Sequence, residues 1–380
     1  MSSVNQFLSK CLFVGAVSIA SISSVYAADP VVLTFSTVGD SREDPTTTTL
    51  TAQDKIWLQN TKAWSRIMRS IQAQKPSMLF FNGDMIMGYG KATTTPATLA
   101  TDITTTDVYK YGQQYGFWRG MVTSLQETGT YVVPVPGNHE TQSKPAGKKA
   151  QVENENAWRA NMSDLIIDKT RFPFSTTSLN FSGDAASYPG TDDGIATSQD
   201  KLSYSFDVAD THFVVINTDP VGKDGFAPTA WLGTDLSSAK ARGAKHFFVF
   251  GHKPAAPYVY AAGVAPSGLD ATSAPAFWAL IEQYKATYFC GHEHIYNMSQ
   301  PTFTTATGTV GGSAYQVIVG AGGSPFDAAA GSTTYNPMTD RSYTWATVQI
   351  HQSGLVDIKT YGFSDSFGPT TQFNAVTLPQ

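Results

Sequence analysis

Cysteine is scarce in this chain, two in 380 residues, and that scarcity limits how the fold can be held together. One of them, Cys11, falls in a stretch patterned like a secretory signal: Lys10, an apolar run from Cys11 to Ile22, then Val25-Tyr26-Ala27 with small residues at alternate positions. Cleavage after Ala27 is predicted, with residues 1–27 as signal peptide and 28–380 as one domain. Cys290 then stands alone, which excludes an internal disulfide despite the oxidising destination and leaves stability to the core and any metal. Charge is also sparse, at 14% of residues, with a formal balance of −5 that loss of Lys10 makes slightly more negative. No basic face for nucleic acid is evident. Long apolar runs are missing as well. The leader is short, broken by Ser18 and Ser21 and without a positive flank after it, and no other run is long enough to cross a bilayer. A membrane anchor is therefore not expected after signal removal. Lys10 directly before Cys11 also argues against a lipid-modified cysteine.

What the chain does have is 41% apolar and 12% aromatic residues with abundant Thr, Ser and Gly, the composition of a folded β-rich extracytoplasmic enzyme. Alternating β-branched residues predict a first strand over Val31 to Val38. Apolar positions at helical spacing predict a helix over Asp54 to Gln74, stopped by Pro76, and a second over Asp107 to Gln126. Strands are expected at Ser77 to Phe81 and Tyr131 to Val135, and a helix at Val152 to Ile167. Lys91 to Thr106 and Phe172 to Asp200 read as loops, the second of a kind that shapes a cleft. Leu202 to Val208 and His212 to Asn217 read as a hairpin, Trp231 to Ala241 and Pro275 to Lys285 as helices, and His246 to Phe250 and Ala286 to Cys290 as strands. Tyr315 to Val319, Tyr343 to His351 and Gly354 to Thr360 are strand-like. No internal repeat is found. Strands alternate with helices early and dominate late.

Five of these strand ends deliver polar residues just after a glycine: Asp40, Asp84, Asn138 with His139, His252, and His292 with His294. In an α/β sheet such ends lie along one edge, where ligands collect. Gly291-His292-Glu293-His294 alone is a moderate metal signal, with a pair of exposed loop histidines as the alternative. Together with two carboxylates, an amide and a third strand-end imidazole it describes a mixed oxygen and nitrogen site suited to Fe, Mn or Zn.

On the blocks Gly39-Asp40, Gly83-Asp84, Gly137-Asn138-His139-Glu140, Val249-Phe250-Gly251-His252 and Gly291-His292-Glu293-His294, the sequence resembles a calcineurin-like metallophosphoesterase. Purple acid phosphatases are the nearest branch, on the further likeness of Trp231-Leu232 and Gly320-Ala321-Gly322-Gly323. The resemblance implies an α/β (α+β) fold, a β-sandwich of mixed sheets flanked by helices in four layers. It implies two divalent or trivalent metal ions bridged by Asp84, one held by Asp40 and His294, the other by Asn138, His252 and His292. It also implies attack of a metal-activated hydroxide on a phosphate ester, with Asn138 facing the substrate and His139 as proton donor. A role for His139 in orienting a ligand stays open.

Two positions depart from the family pattern. Many members carry Asp-x-His in the first block, whereas this chain has Asp40-Ser41-Arg42. Arginine does not ligate a cation, but its fork suits phosphate, so Arg42 is expected to contact substrate and the first metal position to hold its ion more weakly than the second. The branch's tyrosine three residues after the second Asp is Met87 here, with Tyr89 two residues later as a substitute or a plain loop aromatic. His212, His246 and His351 are read as packing or surface residues, Asp192, Asp193 and Asp200 as loop acids, Asp219 as a turn residue, and Lys253 as a phosphate contact or a surface lysine. The expected function is extracytoplasmic, periplasmic or secreted, hydrolysis of small phosphate esters in the manner of an acid phosphatase. Alternatives are a phosphodiesterase or nucleotidase on the same site, or a non-catalytic phosphate-binding relative.

Overall fold

The computed structural model describes residues 29–47, 50–90, 107–167, 181–182, 193–258, 267–328 and 340–379. The expected signal segment and the Lys91 to Thr106 loop lie outside these, as does Asp192.

Two sheets face each other, and the alternation of side chains along each strand explains why both are covered twice. The strands are β1 (Val31–Val38), β2 (Met78–Phe81), β3 (Tyr131–Pro134), β4 (Phe181–Ser182), β5 (Tyr204–Val208), β6 (Thr211–Val215), β7 (His246–Phe250), β8 (Thr287–Cys290), β9 (Tyr296–Ser299), β10 (Gln316–Val319), β11 (Ser342–His351), β12 (Val356–Ser364) and β13 (Thr371–Leu378). One sheet runs β13-β12-β11-β1-β2-β3 and the other β9-β10-β8-β7-β6-β5-β4. Phe35, Phe80, Phe213, Phe248, Phe250, Phe289 and Val317 point between the sheets, while their chain neighbours Phe81, Val214, Val249, Tyr288 and Ile318 point outward. Strands apolar on both faces need a layer on each side, so helices cover both outer surfaces.

On the outside of the first sheet lie α1 (Thr61–Gln74), α2 (Asp107–Glu127) and α3 (Val152–Met162), contributing Trp64, Ile67, Tyr115, Trp118 and Trp158 to one core. On the outside of the second lie α4 (Thr229–Arg242) and α5 (Ser273–Gln283), contributing Leu232, Leu236, Phe277 and Trp278 to another. The result is the expected four layers. Between the sheets the rings interlock: Phe80 stacks on Phe250 with centroids 3.8 Å apart, and Phe35 meets Phe248 edge-on at 4.9 Å.

Several predicted boundaries move. The helix expected from Asp54 breaks into Ala52–Trp57 and α1, because Leu58 turns left-handed (φ 52°) and Gln59 is drawn inward to donate to the Met85 carbonyl. Asn60 then accepts from the Ala63 amide at 3.1 Å and starts the new helix. The helix expected to reach Ile167 tightens after Met162 into a 3-10 turn over Ser163–Leu165. Inside the expected loop from Phe172, residues Phe181–Ser182 pair with β5. The strands β9 and β13 and the hairpin Thr302–Thr305 with Gly308–Gly311 are additional; each is short or half-exposed, so its apolar pattern is weak. Asp193 accepts from the Ala230 and Trp231 amides and so caps α4.

His212 on β6 is fully buried, with Nδ1 2.5 Å from Asp207 and Nε2 2.9 Å from Asp235. Both ring nitrogens therefore donate, and the imidazolium ties the β5–β6 hairpin to α4. Burial opposes that charge, but Asp207 and Asp235 outweigh it and raise the histidine above its ordinary value. The stabilisation is complete below about pH 6.5 and is lost as pH climbs through the raised folded value. His212→Leu should cost about 3 kcal/mol near pH 6. Urea unfolding from pH 6 to 9 should show the wild type losing stability while the variant lacks that slope.

Candidate metal centre

The strands β1, β2 and β3 run parallel, as do β6, β7, β8 and β10 in the facing sheet. Their carboxyl ends open on one rim of the sandwich, and the loops there hold one another in place. The Asp40 amide donates to the Gly83 carbonyl at 2.9 Å, and the His292 amide donates to the Asp40 carboxylate at 3.0 Å, linking the two sheets. Asp40, Asp84 and His292 all take left-handed backbone conformations (φ 61°, 55° and 69°), unusual for residues with side chains and tolerated where the surroundings fix them. Glycine is required beside them: a Cβ on Gly291 would sit 2.1 Å from Asp40 Oδ2, and one on Gly137 2.5 Å from the Asp84 amide nitrogen.

All six side chains expected to face a metal converge. Asp40, Asp84 and His294 each bring a donor atom within 4.8 Å of one another. On the other side of Asp84, Asn138 Oδ1 lies 2.8 Å from both His252 Nε2 and His292 Nδ1, which are 3.1 Å apart, and His252 Nε2 is 3.2 Å from Asp84 Oδ1. Two neighbouring ligands bound at 2.0–2.1 Å to one ion are themselves about 3 Å apart, so this triangle has the dimensions of one face of a coordination sphere. The tautomers agree. His252 Nδ1 donates to the Asn82 carbonyl (2.7 Å) and His294 Nδ1 to the Pro325 carbonyl (2.5 Å), which turns each Nε2 inward.

Burial and close neighbours shift the charge preferences of these inward groups. Burial disfavours charge on His252, but Asp84 and Asp40 outweigh it and raise the imidazole to about 10. Burial and the neighbouring His252 hold His292 well below its ordinary value. Burial pushes Asp40 well up, whereas at Asp84 it is outweighed by the facing His139, His252 and Arg42. A buried cluster of two acids and several imidazoles has the charge pattern of a cation site.

Arg42 sits at the edge of the first position, with Nε 3.6 Å from Asp84 Oδ2 and Nη2 3.5 Å from His294 Nε2. Its Nε is buried with no hydrogen-bond partner. His139 donates its backbone N–H to Asp84 Oδ1 (3.1 Å) and its Nδ1 proton to the Met87 carbonyl (2.5 Å), leaving Nε2 3.7 Å from Asp84 Oδ2. Burial and then Arg42 push this imidazole down to about 3. Tyr89 lies over the His139 ring, centroids 3.7 Å apart, with its phenol pushed up by burial and by Asp84. These groups line a cleft of about 310 Å³ together with Gln142, Lys148, Asp224, Lys253, Ser267 and Asp327.

Three polar groups have partners that the sequence reading did not assign. Glu140 is fully buried and accepts backbone N–H bonds from Gly137, Asp84, Met85 and Ile86 at 2.7 to 3.1 Å. Burial and the charge of Asp84 push it up to about 7 against those four donors. Asp219, read as a turn residue, is fully buried after β6 and paired with Lys253 at 2.7 Å. Lys253, read as a phosphate contact or surface lysine, is buried and also holds Asp224 at 2.5 Å, so its charge is already matched. The available signal was position: Asp219 follows a strand end on the same rim as the other site residues. His246 is buried at the start of β7, and His351 is partly buried near Asp357.

The family model of calcineurin-like phosphoesterases matches residues 57–296. The chain belongs to that family. The matched segment contains the second to fifth blocks and begins after Asp40. Among solved structures the chain is similar to the purple acid phosphatase PPD1 isolated from yellow lupin (Lupinus luteus) seeds, at 14% identity and a TM-score of 0.53 over 91% of this chain and 53% of that one. It is also similar to PhoD, at 13% identity and a TM-score of 0.51 over 91% of this chain and 72% of that one. At such identities the likeness is one of fold, and the chain spans about half the length of the lupin phosphatase. No curated protein matches it.

Glu140→Gln keeps the volume but sets an amide NH2 against backbone donors that need an acceptor. Unfolding in urea should show a loss of about 2 kcal/mol, and Glu140→Ala should lose more.

Proposed function

We propose that the cleft hydrolyses phosphate esters of small substrates with the help of two bound cations. The observation that carries this reading is the pair of donor groups sharing Asp84: a carboxylate can serve two ions because it has two oxygens, and one Asp84 oxygen faces His252 while the other faces Arg42. Asp40 and His294 would complete one position and Asn138, His252 and His292 the other, a donor set suited to Fe, Mn or Zn. Bound there, such ions would polarise the phosphoryl oxygens and lower the pKa of a shared water.

The chain's own residues supply the rest. Arg42 lines the cleft wall, and its guanidinium would take a phosphate oxygen and stabilise charge that grows on it during attack while Nε stays beside Asp84. Arg42 also crowds the first position, consistent with a weaker ion there. His139 borders Asp84 as a neutral imidazole; its backbone N–H holds that carboxylate, and its side chain serves as proton donor to the leaving oxygen only after gaining a proton at Nε2. The wall of Gln142, Asp224 and Lys253 would meet the remainder of the ester, and such walls decide between monoester, diester and nucleotide.

An extracytoplasmic setting, periplasmic or secreted, is part of this proposal and rests on the leader pattern. Among the described residues no helix is long and apolar enough to cross a membrane. Release of nitrophenol from nitrophenyl phosphate and bis-nitrophenyl phosphate with added Mn, Fe or Zn tests the reading. Absence of turnover across pH with metal bound would favour a phosphate-binding relative. Arg42→Ala should raise KM for the monoester about tenfold or more, as loss of a charged hydrogen bond implies; an unchanged KM with lost metal uptake would remove its substrate role.

A further inference from the structure

We propose that Tyr89 is a positioning residue for the second cation position: its hydroxyl accepts the Nδ2–H of Asn138 and so supports the amide in the orientation in which Oδ1 faces His252 and His292. This rests on the metal-dependent reading above and adds a residue that the ligand set does not contain.

An asparagine amide has a donor end and an acceptor end of nearly the same shape. Turned one way, Asn138 offers an oxygen lone pair to an ion beside the imidazoles; turned the other, it offers an NH2 and repels it. His292 does not settle the choice, since its ring nitrogens accept or donate according to tautomer; His252, with Nδ1 given to the Asn82 carbonyl, turns Nε2 to the amide and accepts when neutral or donates when protonated. With Oδ1 turned to an ion, the NH2 end of the amide needs an acceptor, and there the Tyr89 hydroxyl, able to accept as well as donate, stands 2.5 Å from Nδ2.

Tyr89 is itself fixed in place. Its backbone is left-handed (φ 60°), its N–H donates to the His139 carbonyl at 3.0 Å, and its carbonyl accepts from the Lys144 amide at 2.8 Å. Its ring rests on His139. Gly88 allows this approach, because a Cβ there would overlap the His139 carbonyl oxygen. The tyrosine is thus held against the Asn138–His139 turn from both sides, on the amide-nitrogen side of Asn138 rather than among the ligand atoms.

Tyr89→Phe keeps the ring and removes only the hydroxyl. Competition for Mn or Zn against a chromophoric chelator should show the tighter ion of the variant held about 10–100-fold more weakly, as for other residues that orient a ligand. In an Asn138→Asp background, where either oxygen can face the ion, the same change should have almost no effect. A wild-type affinity in Tyr89→Phe overturns the proposal, as does an equal loss in both backgrounds, which would mark a general packing role. A visible absorption band in the iron-loaded protein that disappears in Tyr89→Phe also overturns it, because the phenolate would then be a ligand. If the wild type takes up no ion at all, both this proposal and the metal-dependent reading fall, an outcome distinct from the other three.

Discussion

The carboxylate of Glu140 gathers four backbone N–H groups from two loops, and the rim of the sandwich depends on that contact. The amides of Asp84, Met85 and Ile86 follow β2, and that of Gly137 follows β3. A turn that places Asp84 in a left-handed conformation leaves its amides pointing inward, away from any ladder partner. Buried donors of this kind are costly unless met. One acid side chain meets all four, at the cost of its own burial, and in doing so presses the Asp84 and Asn138 turns together.

A second tie crosses the sandwich. Asp40 comes from the end of β1 in one sheet and accepts from the His292 amide at the end of β8 in the other. The six candidate ligands are thereby drawn from both halves, and each half is rigid because parallel strands buried on both faces leave little room to shift. The interlocked phenylalanines between the sheets set how far apart the two rims stand. Precision at the centre is a consequence of packing well below it.

The strand-end residues were legible because glycine followed by a polar side chain interrupts an apolar run, and this occurs five times. Helix breaks at Leu58 and Met162 were not, since the pull on Gln59 comes from Met85, far along the chain. Glu140 was visible as part of a block, but its four partners belong mostly to another loop. Asp219 was read only as a turn residue and Lys253 as a phosphate contact or a surface lysine, because nothing local announces that each is the other's counter-charge.

By itself the sequence determined the set of groups brought to one rim, because a strand's end is a local property, while the layers were implied by its resemblance to a known family. The tertiary structure alone decided what each group does there. Orientation of the Asn138 amide, the inward tautomers of His252 and His294, and the neutralisation of Lys253 depend on partners 31 to 170 residues apart in the chain. Hydrogen bonds and charge balance act through space, and their terms are set only once the chain has folded.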